Sequence, residues 1–82
     1  MKFNKIFMEL SEAAKNLKLG IHEHFKGKRY EVIGVVHHSE TSEEMVLYKH
    51  LDDDGGLWVR PLKMFTEEVD CNGQKVPRFK KI

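Results

Sequence analysis

This chain of 82 residues has one cysteine, Cys71, so it cannot form an intramolecular disulfide or a cysteine-rich zinc site. Small secreted domains usually need disulfides for stability, and a reducing, cytoplasmic location is therefore expected. The N-terminal segment MKFNKIFMEL is apolar but is interrupted by Asn4, Lys5 and Glu9, and no small-residue cleavage site follows it. It predicts neither a signal peptide nor a membrane span.

The sequence also lacks a strong charge of either sign, because 14 Lys and Arg against 13 Asp and Glu give a net charge of +1. This excludes the domain-wide basic field of a dedicated nucleic-acid-binding protein. Nucleic acid stays open as a partner through a local patch, with weak, salt-sensitive binding, formed by Lys26, Lys28, Arg29, Lys80 and Lys81. The composition, 40% hydrophobic and 33% charged, is typical of one soluble globular domain, residues 1–82.

Apolar residues recur every three or four positions near the N-terminus, at Phe3, Ile6, Phe7, Leu10, Ala13, Ala14 and Leu17. This spacing predicts an amphipathic helix over residues 3–18, with Gly20 as the left-handed cap that ends it. Its apolar stripe has two possible uses. It packs on the rest of the domain, or it makes the protein an interaction adaptor, in which the helix forms a homodimer with a second copy of itself or docks a partner protein.

After Gly20 the pattern is that of short strands. The segments KRYEVIGVVHH, MVLYKHL and LWVRPL are rich in Val, Ile and Tyr and predict three strands. In the first, alternation places Tyr30, Val32, Gly34 and Val36 on one face. Pro61 cannot donate to a ladder and predicts an edge or the end of its strand, before Met64 and Phe65 enter the core.

The Asn72-Gly73 pair is the signature of a type I′ hairpin turn. A two-residue loop places Cys71 opposite Gln74, Asp70 opposite Lys75, Val69 opposite Val76, and Glu67 opposite Arg78. Two of these pairs join opposite charges and one joins two apolar residues, which supports this register. One helix and about five short strands then predict an α+β, mainly β fold: a small, strongly bent antiparallel sheet or half-open SH3-like barrel.

The segments HFKGKRYEVIGVVHHSETSEEMVLYKHL, GLWVRPLKMF and VPRF together resemble a bacterial family known as domain of unknown function 1653. The resemblance covers about residues 20–82, and the N-terminal helix lies outside it. It implies a fold and candidate positions but no activity. Within its pattern Glu40 and Arg60 both occupy characteristic positions.

Trp58 and Arg60 form the strongest candidate site. In a strand their side chains point to the same side, about 7 Å apart. Leu57 and Val59 point to the opposite face, so Arg60 is not expected to occupy a core position. An indole and a guanidinium so placed can hold a planar anion or an extended peptide. The next candidates for the same rim are Tyr48, His38 and Lys26.

A structural alternative is that the stem of Arg60 covers the indole while its head pairs with Glu40. A catalytic alternative is a small hydrolase or transferase that uses His38, Glu40 and Arg60. Zinc binding by His22, His24 and a third His lacks a recognised spacing, and DDDGG lacks the ligand pattern of a calcium loop. The sequence therefore favours a non-enzymatic binding module, with no metal or cofactor expected and an unknown ligand or protein partner.

Overall fold

The computed structural model describes residues 10–52 and 55–82. Its elements in chain order are α1 (Glu12–Asn16), β1 (Gly20–His24), β2 (Arg29–His37), β3 (Glu44–His50), β4 (Leu57–Pro61), α2 (Leu62–Phe65), β5 (Glu68–Cys71), β6 (Gln74–Pro77) and β7 (Phe79–Lys81). Five strands form an antiparallel sheet in the order β4-β3-β2-β1-β7, and β5 pairs with β6 in a separate hairpin. The predicted mainly β antiparallel fold is confirmed, but the sheet is not closed, since β4 and β7 are its edges.

The predicted helix over residues 3–18 is wrong in the part that the structure describes. Here α1 covers only Glu12–Asn16, because Ser11 is extended (φ −68°, ψ 166°) and its hydroxyl accepts a hydrogen bond from the Ala14 amide. Leu17 is extended as well, with ψ 127°. Residues 3–9, on which the homodimer hypothesis depends, lie outside the described residues.

The Glu44 carboxylate fixes the start of α1 from the first residue of β3. It accepts hydrogen bonds from the Ser11 amide at 2.7 Å and from the Ser11 hydroxyl at 2.6 Å. These bonds lower the pKa of Glu44, the hydroxyl bond being the larger cause. The single residue Ser11 therefore both caps α1 and links it to the sheet. Gly20, predicted as the cap of this helix, instead begins β1 with φ 106° and pairs with Val32.

A bulge in β2 changes which side chains face the core. The pairing with β3 shifts between Val32 and Gly34, which leaves Ile33 as an extra residue. Val35 then pairs with the fully buried Val46, while Ile33 and Val36 are 41% and 36% exposed. The predicted strict alternation is therefore wrong beyond Val32, because the bulge reverses the faces.

The hairpin prediction is confirmed in full. Val69 pairs with Val76, Asp70 with Lys75 and Cys71 with Gln74. The turn residues Asn72 and Gly73 have φ of 53° and 83°, as a type I′ turn requires. The Arg78 amide donates to the Glu67 carbonyl at 3.1 Å, which extends the predicted register by the last pair.

The core lies on the concave face of the sheet, against α1 and α2. Its buried apolar residues, as far as the structure describes them, are Ala14, Val32, Val46, Tyr48, Leu62, Phe65 and Phe79. Pro61 ends β4 as predicted, and the helical turn of α2 directs Leu62 and Phe65 inward. Met64, predicted as core, is 44% exposed because it lies on the other side of that turn.

We expect Ser11→Ala to lower the free energy of unfolding by about 1 kcal/mol, because α1 loses its N-cap and its tie to Glu44. Urea unfolding followed by circular dichroism measures the change. Ser39→Ala, in the exposed turn after β2, is the matched control and should change stability by less than about 0.5 kcal/mol. Equal effects of the two substitutions would contradict the anchoring role of Ser11.

Candidate functional site

The register of β4 places Trp58 and Arg60 on the concave face of the sheet. Trp58 pairs with Tyr48 and Arg60 pairs with Val46, and both partners are buried. Paired residues project to the same face of a sheet, so Trp58 and Arg60 lie beside the core. Leu57 and Val59 instead face solvent, with 63% and 50% exposure. The prediction that these two oppose Trp58 is confirmed, but the expectation that this leaves Arg60 outside the core is wrong.

Arg60 lies over the ring of Phe79. Its Cζ is 5.5 Å from the ring centroid, although the two residues belong to the opposite edge strands β4 and β7. Its Nε is buried and has no hydrogen-bond partner. None of the ion pairs between described residues includes Arg60. The predicted structural pair with Glu40 is therefore absent from the contacts of the described chain.

The described residues compensate the charge of Arg60 only in part. Burying a charged group costs several kcal/mol unless a counterion and hydrogen bonds compensate. A cation–π contact with Phe79 recovers about 1–2 kcal/mol at most. Since no described carboxylate pairs with it, the half-buried guanidinium retains charge and hydrogen-bonding capacity for another group.

His24 marks the basic side of this site. Its ring packs 4.9 Å from the Phe79 ring, and its Nδ1 accepts a hydrogen bond from the Lys26 amide at 3.1 Å. Burial is the main cause that lowers the pKa of His24, followed by the positive charges of Arg78, Arg60 and Lys26. Three positive charges therefore act on the imidazole of His24.

The cations around His24 differ in their own partners. Arg78 forms an ion pair with Glu67, but its Nε is buried without a partner. Lys26 takes part in no ion pair among the described residues, and its Nζ lies 5.7 Å from the Phe25 ring centroid. Arg60 and Lys26 accordingly have no ion-pair partner among the described residues.

A continuous set of aromatic rings connects Trp58 to Phe79, the ring beneath the Arg60 guanidinium. Ring centroids are 5.6 Å apart for Trp58 and His50, 4.8 Å for His50 and Tyr30, and 5.4 Å for Tyr30 and Phe79. Trp58 is 51% exposed, and its indole N–H donates to the Gly55 carbonyl, which fixes the ring. Tyr48, predicted at the rim, is buried beneath this set and contacts Phe65.

The remaining candidates lie apart from Trp58 and Arg60. His38 and Glu40 are in the turn after β2, where His38 Nδ1 accepts hydrogen bonds from the amides of Glu40 and Thr41. Lys26 lies in the turn after β1 and lines an open cleft of about 460 Å³ together with Lys80 and Cys71. The predicted set is thus divided between the concave face, the turn after β2 and this cleft.

The histidines form no metal centre in the part of the chain that is described, where no group of three or more His, Cys, Asp or Glu is placed to hold an ion. His22 is buried, with Nδ1 3.2 Å from the Gly20 carbonyl and its ring 5.6 Å from that of Phe65. In DDDGG, Asp52 accepts a hydrogen bond from the Arg29 amide at 3.1 Å, whereas Asp53 and Asp54 lie outside the described residues.

Sequence reasoning missed Phe79 and Arg78 as parts of the site and considered His24 only as a metal ligand. Arg78 and Phe79 stand together in the VPRF segment, directly after the hairpin. The signal that could have found them is the return of the chain after β6, since β7 pairs with β1 opposite His24. That pairing is a long-range contact, and no local pattern specifies it.

The fold and this face together define a small β domain with an open, bent sheet and a basic, aromatic concave surface. Residues 20–81 match the family described as protein of unknown function DUF1653, and the chain belongs to that family. The fold is similar to that of a DUF1653 protein from Bordetella bronchiseptica, known from its crystal structure. The TM-score is 0.78 at 30% identity, covering 84% of this chain and 91% of that one.

A search of curated proteins found no match to this chain. Nor does any helix within residues 10–52 and 55–82 have the length and apolar character needed to cross a membrane. The resemblance to the DUF1653 family is thus confirmed over nearly its whole expected length, and it carries no activity with it.

We expect Arg60→Met to raise the free energy of unfolding by about 1–2 kcal/mol, because it removes a half-buried charge that has no ion-pair partner among the described residues. Arg78→Met is the matched control. It should lower stability by about 1 kcal/mol, because it leaves Glu67 without its partner. Chemical denaturation in phosphate-free buffer measures both. Destabilisation by Arg60→Met equal to that by Arg78→Met would show that Arg60 is a structural residue.

We expect stability to fall as the pH drops below about 6.5. Burial lowers the folded-state pKa of His22 and of His24 from the ordinary value of 6.5. The unfolded chain therefore takes up protons first, and stability is lost until the pH passes below the folded pKa values. Denaturation midpoints between pH 7.5 and 5.5 measure this slope, and His24→Gln should reduce it. A flat profile, or an unchanged slope in the variant, would contradict the assignment.

Proposed function

We propose that this protein is a non-enzymatic binding module that holds an anionic ligand on the concave face of its sheet, with Arg60 as the anchor. The observation that carries the proposal is the state of Arg60: half buried over Phe79, with a buried Nε that has no hydrogen-bond partner. A carboxylate or phosphate from a ligand would supply the missing counterion. It would also accept the hydrogen bonds that the guanidinium does not make within the described chain.

The surroundings of Arg60 support an anion in preference to a cation or a neutral group. His24 lies on β1, which pairs with the β7 strand that carries Phe79, and the charges of Arg78, Arg60 and Lys26 all lower its pKa. No carboxylate of the described residues appears among the charges that act on His24. Positive charge therefore predominates around His24, although the chain as a whole has a net charge of only +1.

Binding without turnover is the better hypothesis because the proposed catalytic base is committed elsewhere. The hydrolase hypothesis depends on His38, yet the Nδ1 of His38 accepts two backbone hydrogen bonds that shape its own turn. Glu40 contributes its backbone amide to that turn. Neither residue shares a contact with Arg60 in the described part of the chain.

An SH3-like half-open barrel remains our proposal for the fold type. It is supported by the five-stranded antiparallel order and by the approach of Arg60 to Phe79 from the two edges. We also propose a cytoplasmic location, in keeping with the unpaired thiol of Cys71 in a chain that has no second cysteine.

We expect the protein to bind inorganic phosphate or citrate, and Arg60→Met to weaken that binding at least tenfold. Hydrogen bonds to a charged group contribute about 1.5–3 kcal/mol, and 1.4 kcal/mol corresponds to tenfold in affinity. Chemical-shift titration of the labelled full chain measures the dissociation constants.

Lys49→Met is the control, because Lys49 pairs with Leu57 on the exposed convex face and also carries one positive charge. It should leave the affinity within about twofold, since the screening of exposed charges limits long-range effects. Equal weakening by both variants would show that the affinity depends on net charge and not on Arg60 in particular. Unchanged binding by Arg60→Met would refute the anchor.

A further inference from the structure

We infer that the ligand is a nucleoside 5′-phosphate, whose phosphate binds at Arg60 and whose base stacks on Trp58. This inference rests on the proposed anion-binding function and narrows it to one ligand class. It is carried by three features of the concave face: the guanidinium of Arg60, the exposed indole of Trp58 and the placement of the two residues on one strand.

The Arg60 guanidinium matches an anion with several acceptor oxygens. Arg60 has no carboxylate partner among the described residues, while Arg78 is compensated by Glu67. A guanidinium can bind a carboxylate or a phosphate through two parallel hydrogen bonds. A phosphate monoester carries about −1.5 to −2 at pH 7 and has three strong acceptor oxygens, whereas a single carboxylate carries −1.

The indole of Trp58 is placed to receive a flat ring. It is 51% exposed although it lies on the concave face, and its hydrogen bond to Gly55 together with His50 holds its orientation. Arg60 does not cover it, because the guanidinium lies over Phe79 instead. Stacking of a base on such a ring contributes about 1–3 kcal/mol. A ligand with an anionic group alone would leave this surface unused.

The placement of Trp58 and Arg60 requires a ligand with a linker between ring and anion. The backbones of the two residues lie two positions apart on one face of β4, about 7 Å along a strand, and the guanidinium then reaches the Phe79 ring. The sugar of a nucleoside 5′-phosphate supplies such a linker between base and phosphate. A benzoate-like anion, in which the charge is attached directly to the ring, is too short to engage both residues.

Titrations of the full chain with four small probes test the inference: adenosine monophosphate, adenosine, ribose 5-phosphate and an acidic tetrapeptide. The indole N–H of the single Trp reports on the ring site, and the Arg60 Nε–H reports on the anion site. We expect adenosine monophosphate to bind at least tenfold more tightly than any other probe and to shift both signals. A tetraribonucleotide with a 5′-phosphate is the fifth probe and distinguishes a free nucleotide from the end of a strand. Tighter binding of either one supports the ligand class.

The variants separate the two halves of the site. Trp58→Leu should reduce the affinity for adenosine monophosphate to that for ribose 5-phosphate, and Arg60→Met should reduce it to that for adenosine. Lys49→Met should change neither. Since Trp58 is half exposed, its replacement is expected to leave the fold intact, which a dispersed amide spectrum verifies.

Two results would overturn the inference while the anion-binding function stands: ribose 5-phosphate binding as tightly as adenosine monophosphate, or the peptide binding more tightly, with both dependent on Arg60. In the first case the indole has no role in binding, and in the second the ligand is a peptide. Absence of binding by every probe, inorganic phosphate and citrate included, would overturn the proposed function and the inference together.

Discussion

The contact between the Arg60 guanidinium and the Phe79 ring connects the two edges of an open sheet. β4 and β7 share no backbone ladder. The curvature of the sheet brings them close enough for a contact between side chains. Phe79 also stacks on Phe65, with centroids 4.0 Å apart and planes 1° from parallel. One ring thus joins the last strand, the short helix α2 and the charged residue of the opposite edge. The core and the candidate site share this ring, and neither can be altered without the other.

This sharing explains why an energetically unfavourable residue occupies a well-packed region. An apolar side chain in place of Arg60 would pack over Phe79 without a charge to compensate. Among the described residues the fold supplies only the ring beneath the guanidinium and no carboxylate partner. Residues at binding sites often carry such a cost, because the surrounding structure over-determines their positions.

The parts of the structure that the sequence predicts well are those that depend on neighbours in the chain. Asn72 and Gly73 determine the hairpin register, because only a few residue types adopt the required positive φ. Alternation correctly places Trp58 with Arg60, but it cannot tell which face becomes the core. That choice depends on the pairing of β4 with Tyr48 and Val46. Periodicity fails at α1 for the same reason, since the Ser11 cap is held by Glu44, 33 positions away.

The hairpin of β5 and β6 begins and ends at the same place in the fold. Glu67 and Arg78 are joined there by a backbone hydrogen bond and an ion pair, so the ten residues between them form a closed excursion. The route from α2 to β7 would be spatially continuous without that excursion. A change of length within the hairpin would therefore leave Glu67 and Arg78, and with them the start of β7, in place.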